Sequence, residues 1–198
     1  MRIVIASRNT GKIKEIKSSA GSLPQVEWLT FKDFKDLPDV EEKGSSFFEN
    51  ARLKARAVSD HTGTITLADD SGLEVDFLGG RPGVRSSRYA GENATDKQNR
   101  DKLMAEMENA KRVSDRKARF VCNMVLWIPE KGPVFETRGV CSGHIGFEER
   151  GTGGFGYDCI FIPSGHKKTM AQLNREEKNS ISHRGKAIKA VREFIVNF

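Results

Sequence analysis

The last third of the sequence combines the residue types that a nucleotide site needs. A flexible backbone, two aromatic rings and one carboxylate come from residues 151–158, which read GTGGFGYD. Lys178 and then residues 182–185, which read SHRG, add cationic and titratable donors. Aromatic faces can stack on a base, and cationic side chains can bind its phosphates. These residues predict a pocket for a nucleotide.

An acidic element adds the means to bind a metal ion. Residues 68–72 read ADDSG and follow a β-branched run, and such carboxylates can hold the divalent metal of a bound phosphate. Adjacent aspartates on a strand point to opposite faces. We therefore expect one of Asp69 and Asp70 to bind metal and the other to be structural, unless Ser71 and Gly72 bend the backbone. The same residues are also good turn composition, so a plain turn is the alternative.

The beginning of the sequence predicts a strand, a polar loop and a helix. Residues 2–6 form a β-branched run, residues 7–12 read SRNTGK, and Ile13, Ile16 and Ala20 recur at helical spacing. Backbone N–H groups at the start of a helix stabilise a bound anion. The loop lacks the spacing of a Walker phosphate loop, so an ordinary turn between strand and helix is the alternative.

Further elements are predicted between these motifs. A capping box at residues 46–49 starts a helix that ends near residue 62, and Lys54 on this helix reads, by itself, as a surface lysine. Residues 64–68 read as a buried strand that carries the two aspartates at its carboxyl end, where ligand sites lie in α/β sheets. A long loop is expected over residues 79–91.

The second half predicts a β-hairpin and a final helix. Residues 119–128 and 134–145 read as an antiparallel pair, which makes the sheet mixed rather than parallel. Ser182 is a suitable cap for the last helix, whose first turn then contains His183 and Arg184. A cation in the first turn opposes the helix dipole, which indicates that an anion or acceptor compensates it.

Composition restricts the class of protein. The chain has 198 residues, of which 37% are hydrophobic and 30% are charged, and this predicts one sizeable core in a single domain over residues 1–198. Its apolar runs are too short to span a bilayer and its start does not read as a signal peptide, so we expect no membrane partner and a cytoplasmic location. Three cysteines without metal-site spacing predict reduced thiols.

The formal net charge of +6 favours an anionic partner. A non-enzymatic module that binds nucleic acid is one candidate for such a chain. The acidic pairs at residues 41–42 and 69–70 argue against it, because they would repel phosphates unless a metal ion intervenes. We therefore expect no stable nucleic-acid partner.

Several motifs, in one order from end to end of the chain, resemble those of a known family. They are residues 7–12, FENA at 48–51 with Lys54, ADDSGL at 68–73, GGRPGV at 79–84, GGFGYD at 153–158 and SHRGKA at 182–187. Together they resemble the inosine triphosphate pyrophosphatase family. The resemblance implies an α/β fold with a mixed β-sheet and flanking helices, two lobes around a central substrate cleft, and a homodimer.

The resemblance also implies an activity. It is the magnesium-dependent hydrolysis of inosine, deoxyinosine and xanthosine triphosphates to the nucleoside monophosphate and pyrophosphate. This reaction removes these nucleotides from the pool and prevents their incorporation into DNA and RNA. A related phosphatase or pyrophosphatase that acts on other nucleotides is the alternative.

By the same resemblance, Glu42 and Asp70 bind Mg²⁺, and Asp70 is the catalytic proton acceptor. Coordination to a metal would depress the pKa of Asp70 and make it a poor direct base, so these two roles are in tension. The substrate-binding residues implied by the resemblance are Ser7, Arg8, Asn9, Thr10, Gly11, Lys12, Lys54, Ser71, Phe155, Gly156, Tyr157, Asp158, Lys178, His183 and Arg184.

Selectivity for the base has a physical basis. The 6-keto oxygen of hypoxanthine or xanthine accepts hydrogen bonds, so donors from Lys178, His183 or Arg184 would stay unpaired against adenine. Phe155 or Tyr157 can supply the stacking face. Guanine also carries a 6-keto oxygen, so its exclusion must involve the 2-position, for which the sequence identifies no residue.

Three residues depart from the family pattern. Arg8 stands where a small residue is frequent, Arg85 where an aromatic residue is usual, and Cys159 where proline is usual. None of them removes a predicted catalytic group. We expect them to affect loop geometry, the dimer surface or substrate preference rather than the reaction.

Overall fold

The computed structural model describes residues 1–198 and contains a six-stranded sheet with five α-helices. The strands are β1 (Arg2–Ile5), β2 (Glu27–Leu29), β3 (Ile65–Val75), β4 (Lys117–Ile128), β5 (Gly132–Ile145) and β6 (Phe161–Pro163). The helices are α1 (Thr10–Ala20), α2 (Phe47–Thr62), α3 (Asp96–Glu106), α4 (Arg175–Ile181) and α5 (His183–Asn197).

The sheet is mixed, as predicted. Its strand order is β2-β1-β3-β4-β5-β6. Strand β1 runs parallel to both β2 and β3, whereas β5 and β6 are antiparallel. The fold is therefore α/β with a mixed sheet and flanking helices.

The chain forms two compact units. The first unit comprises Met1–Asp70, Cys122–Gly139 and His183–Phe198, and the second comprises Ser71–Val121 and Val140–Ser182. The boundaries fall within β3, β4 and β5 and between α4 and α5. Asp70 and Ser71, which are adjacent in the sequence, thus belong to different units.

The first unit has a hydrophobic core on each face of its strands. Side chains from α1 and α5 pack with Ile3 and Leu67 in one core, whereas Ala51 and Ala55 of α2 pack with Ala68 in the other. Successive side chains of a strand point to opposite faces. The alternation therefore places Asp69 on the face of α1 and α5 and Asp70 on the face of α2.

The second unit is built around an aromatic and aliphatic core. Its fully buried side chains include Leu103 of α3, Met107 directly after α3, and Phe161 of β6. The buried guanidinium of Arg116 donates to the carbonyls of Ile145 at 2.8 Å and Gly146 at 2.7 Å, with further bonds to the backbone that follows α3. Burial lowers the pKa of Arg116. The hydrogen bonds of the Arg116 guanidinium are therefore accepted by backbone carbonyls rather than by a carboxylate.

Two sequence predictions were wrong in extent. The predicted strand at residues 64–68 continues to Val75, so the aspartates lie within β3 and not at its end. They nevertheless lie beyond the carboxyl end of β1, since Ile5 of β1 pairs with Leu67. The predicted long loop at residues 79–91 contains the 3₁₀ helix Gly83–Arg88, and the 3₁₀ helix Asp76–Leu78 precedes it.

The boundaries of the other predicted elements lie close to those in the structure. Helix α2 starts after Ser46, whose hydroxyl accepts the N–H of Glu49, although the Glu49 carboxylate accepts from Ser45 rather than completing a capping box. The three cysteines are all free thiols, as predicted. None of the helices combines the length and apolarity that crossing a membrane requires.

The close approach of β5 to α5 depends on a glycine. A Cβ atom built on Gly139 would lie 2.0 Å from the His183 carbonyl oxygen and 2.8 Å from the Ala187 nitrogen. We expect Gly139→Ala to destabilise the protein by about 3 kcal/mol, because backbone must move to admit a methyl group. Urea unfolding measures this loss. Arg138→Ala, at the exposed neighbouring position, is the control, and equal stability of the two variants would contradict the expectation.

Candidate active site

The polar loop before α1 is organised by its own side chains. The Ser7 hydroxyl accepts the N–H of Asn9 at 3.2 Å, and the Asn9 side chain caps α1 by accepting the N–H of Lys12 at 3.0 Å. Arg8 donates to the Leu37 carbonyl at 2.8 Å. Arg8, Asn9 and Thr10 are exposed. The loop therefore presents the start of a helix at the surface, which is the arrangement that favours an anion.

Asp69 is a buried carboxylate that two cations neutralise. Its Oδ2 atom lies 3.1 Å from Lys12 Nζ and 3.4 Å from Arg184 Nη2. Burial by itself would raise the pKa of Asp69, but the charges of Lys12 and Arg184 hold it below its ordinary value. Arg184 also pairs with Glu15 of α1. Asp69 thus joins β3 to α1 and α5, which is the structural role predicted for one of the two aspartates, and the carboxylates compensate the cation in the first turn of α5.

Asp70 lies in a second, separate polar cluster on the face of α2. Its Oδ1 atom accepts from Lys54 Nζ at 3.2 Å and its Oδ2 atom from Asn50 Nδ2 at 3.2 Å. Lys54 Nζ also donates to Glu42 Oε1 at 2.8 Å. The structure therefore brings the carboxylates of Glu42 and Asp70 together around the ammonium group of Lys54.

Lys54 is not the surface residue that its own sequence context indicates. Its side chain is only 12% exposed. Burial lowers its pKa, but the carboxylates of Asp70 and Glu42 raise it by more, so the net shift is upward. The position on a helix could not reveal this, because both partners are distant in sequence.

Asn50 is a site residue that the sequence analysis did not identify. It is fully buried and its Oδ1 atom accepts the N–H of Gly44 at 2.7 Å while its Nδ2 atom donates to Asp70. Asn50 therefore connects the irregular segment that carries Glu42 to the strand that carries Asp70. The available signal was its spacing of four residues before Lys54, which puts both on one face of α2.

The two carboxylates fit a small, hard cation. Burial raises the pKa of Asp70, the charge of Lys54 lowers it and the charge of Glu42 raises it, with a net upward shift. A cation between Glu42 and Asp70 would stabilise the ionised form of both carboxylates. No group of three or more His, Cys, Asp or Glu side chains is close enough to form a metal cage. Two carboxylates suit Mg²⁺, which keeps several waters, better than Zn²⁺ or Ca²⁺.

The glycine-rich segment forms a third cluster, within the second unit. Lys178 Nζ lies 2.7 Å from Asp158 Oδ2, and both side chains are largely buried. The same oxygen accepts the N–H of Phe155 at 2.9 Å, and Lys178 Nζ lies 5.5 Å from the centre of the Phe155 ring. A Cβ atom on Gly154 would approach Asp158 Oδ2 to 2.0 Å, so only glycine permits this turn.

The two aromatic residues of this segment have different roles. Tyr157 is buried, its hydroxyl donates to the Ser86 carbonyl at 2.8 Å, and burial raises its pKa. Phe155 is half-buried. Of the two alternatives for a stacking face, Phe155 alone offers ring surface to a ligand.

The remaining predicted residues have defined positions. Ser71 is half-buried on β3 directly after Asp70, and Gly156 belongs to the turn that ends at Asp158. His183 is buried as the first residue of α5. In sum, the first unit contains the loop at residues 7–12, Glu42, Lys54, Asp70, His183 and Arg184, and the second contains Ser71, residues 155–158 and Lys178.

The different surroundings of the two aspartates predict different effects on stability. Asp69→Asn would remove the buried counter-charge that Lys12 and Arg184 share and leave Arg184 paired with Glu15, and we expect a loss of about 3 kcal/mol. Asp70→Asn keeps a side chain of the same shape at a position where burial disfavours charge, and we expect a loss of about 1 kcal/mol or less. Urea unfolding of both variants measures the difference. Asp60→Asn on the exposed face of α2 is the control, and a larger loss for Asp70→Asn than for Asp69→Asn would refute this division.

Known proteins match the chain along nearly its whole length. A protein from Oceanobacillus iheyensis named dITP/XTP pyrophosphatase is 44% identical and covers 98% of both chains. One of the same name from Geobacter sulfurreducens is 45% identical over 98% of this chain and 96% of its own. The solved HAM1 protein of Coxiella burnetii has a TM-score of 0.89 and 42% identity over the full length of both chains. The Staphylococcus aureus Ham1 protein has a TM-score of 0.87 and 42% identity, covering 100% of this chain and 99% of its own.

These matches confirm the family resemblance and the fold that the sequence motifs predicted. The model of the Ham1 family matches residues 3–194. The described clusters all lie within that range. On this match and on its full-length relatives, the chain belongs to the Ham1 family.

Proposed function

We propose that this protein hydrolyses inosine, deoxyinosine and xanthosine triphosphates to the nucleoside monophosphate and pyrophosphate. Relatives at about 45% identity carry the name dITP/XTP pyrophosphatase. The observation that carries the proposal is the buried cluster in which Glu42 and Asp70 converge on Lys54. Such a cluster offers acidic and cationic groups for phosphoryl chemistry. Its reaction would clear these nucleotides from the pool before they enter DNA or RNA.

Glu42 and Asp70 would hold Mg²⁺ in this proposal. Bound there, the ion would neutralise phosphate oxygens and favour ionisation of a water. Asn50 would keep its bond to Asp70 Oδ2 and so fix the orientation of that carboxylate. Lys54, whose ammonium group contacts both carboxylates, would present a cation to a substrate anion held there.

Asp70 is the group we assign as proton acceptor. In the metal-free protein, burial raises the pKa of Asp70, and coordination to Mg²⁺ would lower it. We therefore assign Asp70 to orient the water that attacks the α-phosphorus and to accept its proton as the new P–O bond forms. Lys54 would stabilise the negative charge on the departing pyrophosphate. The exposed start of α1, at residues 7–12, would bind the same phosphates through backbone N–H groups. Lys12 forms an ion pair with Asp69, so its positive charge would attract the phosphates without a direct contact.

The cluster around Asp158 would recognise the base. Phe155 would stack on the purine, and Lys178 or His183 would donate to the 6-keto oxygen that adenine lacks. Arg184 is buried against Glu15 and Asp69, so we assign it to positioning through α5. Gly156 and Ser71 would contribute backbone and hydroxyl contacts.

Wider expectations rest on the composition of the chain and, for the dimer, on the family resemblance. We propose that residues 1–198 act as one domain, that the protein is a homodimer, and that it works in the cytoplasm without a membrane or stable nucleic-acid partner. Light scattering of the purified chain tests the dimer directly.

Pyrophosphate release tests the activity. We expect pyrophosphate, and not orthophosphate, from inosine and xanthosine triphosphates with Mg²⁺, and little from adenosine, guanosine or pyrimidine triphosphates. Asp70→Asn should lower this turnover by at least about 100-fold, because it removes the base and a metal ligand together. Asp60→Asn is again the matched control. Near-normal rates for Asp70→Asn would overturn its assignment, and another base preference would favour the related phosphatases.

Base recognition is tested by a second pair of variants. Lys178→Ala or His183→Ala should raise KM for inosine triphosphate about tenfold, or reduce the preference over adenosine triphosphate by a similar factor, since a donor to the base is lost. Lys167→Ala removes an exposed lysine of the unit that contains Lys178 and should change neither quantity. Unchanged selectivity and affinity in both variants would remove these residues from the base pocket.

A further inference from the structure

The glycine-rich segment has few side chains of its own with which to hold a shape. Residues 151–156 read GTGGFG, and Gly154 and Gly156 adopt φ angles of 75° and 61°. Glycine has the widest choice of backbone conformations, so an ordered glycine segment loses more conformational freedom than others. Contacts from outside the segment must therefore fix it.

Helix α3 supplies two such contacts to a single residue. The N–H of Gly156 donates to Asp96 Oδ2 at 2.7 Å, and the carbonyl of Gly156 accepts from Arg100 Nη1 at 2.8 Å. Asp96 and Arg100 are four residues apart and so lie on one face of α3. Both polar backbone groups of Gly156 are thus held by one face of a helix.

Arg100 is itself held in place. Its Nε and Nη2 atoms donate to the two carboxylate oxygens of Glu149 at 2.9 and 3.3 Å, and its side chain is 15% exposed. The Cys159 thiol contacts Glu149 Oε2 at 3.6 Å. Glu149 precedes the glycine-rich segment and Cys159 follows it, so the network reaches both ends of the segment.

The position of Gly156 affects the groups assigned to the base. Gly156 follows Phe155, whose N–H donates to Asp158, and Asp158 pairs with Lys178. Asp96, Arg100, Phe155 and Asp158 all line one depression of about 220 Å³. A displacement of the Gly156 peptide would therefore move the Phe155 ring relative to Lys178.

We propose that Asp96 and Arg100 are positioning residues for base recognition. They act through the Gly156 peptide, whose two polar backbone groups they bind. The inference rests on the proposed function for its link to the base, whereas its claim about the segment needs no substrate. Nothing in the sequence motifs pointed to either residue, because both lie outside the motifs that resemble the family.

The test compares four variants on α3. Asp96→Ala and Arg100→Ala each remove one bond to Gly156. Asp96→Asn removes the same charge from the first turn of α3 as Asp96→Ala but keeps an acceptor oxygen, so it separates the hydrogen bond from helix stability. Lys97→Ala removes an exposed ion pair with Asp101 on the same helix and is the matched control.

Two measurements are made on each purified full-length variant. Hydrogen exchange, followed by mass spectrometry of the peptide covering residues 151–158, reports the order of the segment without substrate. Steady-state kinetics with deoxyinosine triphosphate reports KM and kcat. For Asp96→Ala and Arg100→Ala we expect exchange to be about tenfold faster and KM about tenfold higher, with a smaller change in kcat. Asp96→Asn and Lys97→Ala should stay close to the wild type.

The outcomes separate the inference from the proposed function. Unchanged exchange in both alanine variants would overturn the claim that α3 fixes the segment. Faster exchange with unchanged KM would overturn its link to base recognition. Absence of turnover by the wild-type protein would refute the proposed function, and the exchange measurement would still decide the claim about the segment. Equal effects of Asp96→Asn and Asp96→Ala would assign the effect to helix stability and refute the role of the hydrogen bond.

Discussion

The first unit is organised by the need to neutralise two adjacent carboxylates in the interior of a sheet. An isolated buried charge is costly, so each aspartate requires its own cation or donors. Strand alternation sends the two side chains to opposite faces, where different helices meet them. Lys12 and Arg184 meet Asp69 from α1 and α5, and Lys54 and Asn50 meet Asp70 from α2. The arrangement of helices around β3 thus follows from a pair of neighbouring residues.

The charges of Asp69 and Asp70 are neutralised to different degrees on the two faces of the sheet. The charge of Asp69 is compensated in full, and its pKa falls in spite of burial. Asp70 shares Lys54, the cation that it contacts, with Glu42, and its pKa rises. A fully compensated carboxylate stabilises a fold, whereas a partly compensated one gains from binding something more positive. The same sequence doublet therefore contains an aspartate that joins β3 to two helices and another that we propose to be reactive.

Strand geometry predicted that the two aspartates have different roles, whereas only the family resemblance indicated which of them is the metal ligand. Alternation along a strand depends only on local geometry, so the separation of Asp69 from Asp70 was predictable. The strand's continuation through Asp69, Asp70 and Ser71 was not, because these residues favour turns and only their tertiary partners permit an extended backbone. Burial of Lys54 has the same origin, since its partners lie 12 residues before and 16 residues after it. The different burial of Phe155 and Tyr157 likewise depends on Ser86, 71 residues before Tyr157.

Glu42 and Asp70 both contact Lys54, but they lie on different kinds of backbone. Asp70 projects from a strand of a six-stranded sheet, whereas Glu42 lies in a stretch without helix or strand between residues 34 and 46. That stretch is tied down by side chains, through Asn50 to Gly44 and through Lys54 to Glu42. Strands in a sheet open only with much of the fold, whereas segments held by a few side chains open locally at lower cost. The part of the site that carries Asp70 is therefore rigid, whereas the segment that carries Glu42 opens more easily. A ligand that binds both carboxylates must order only that segment.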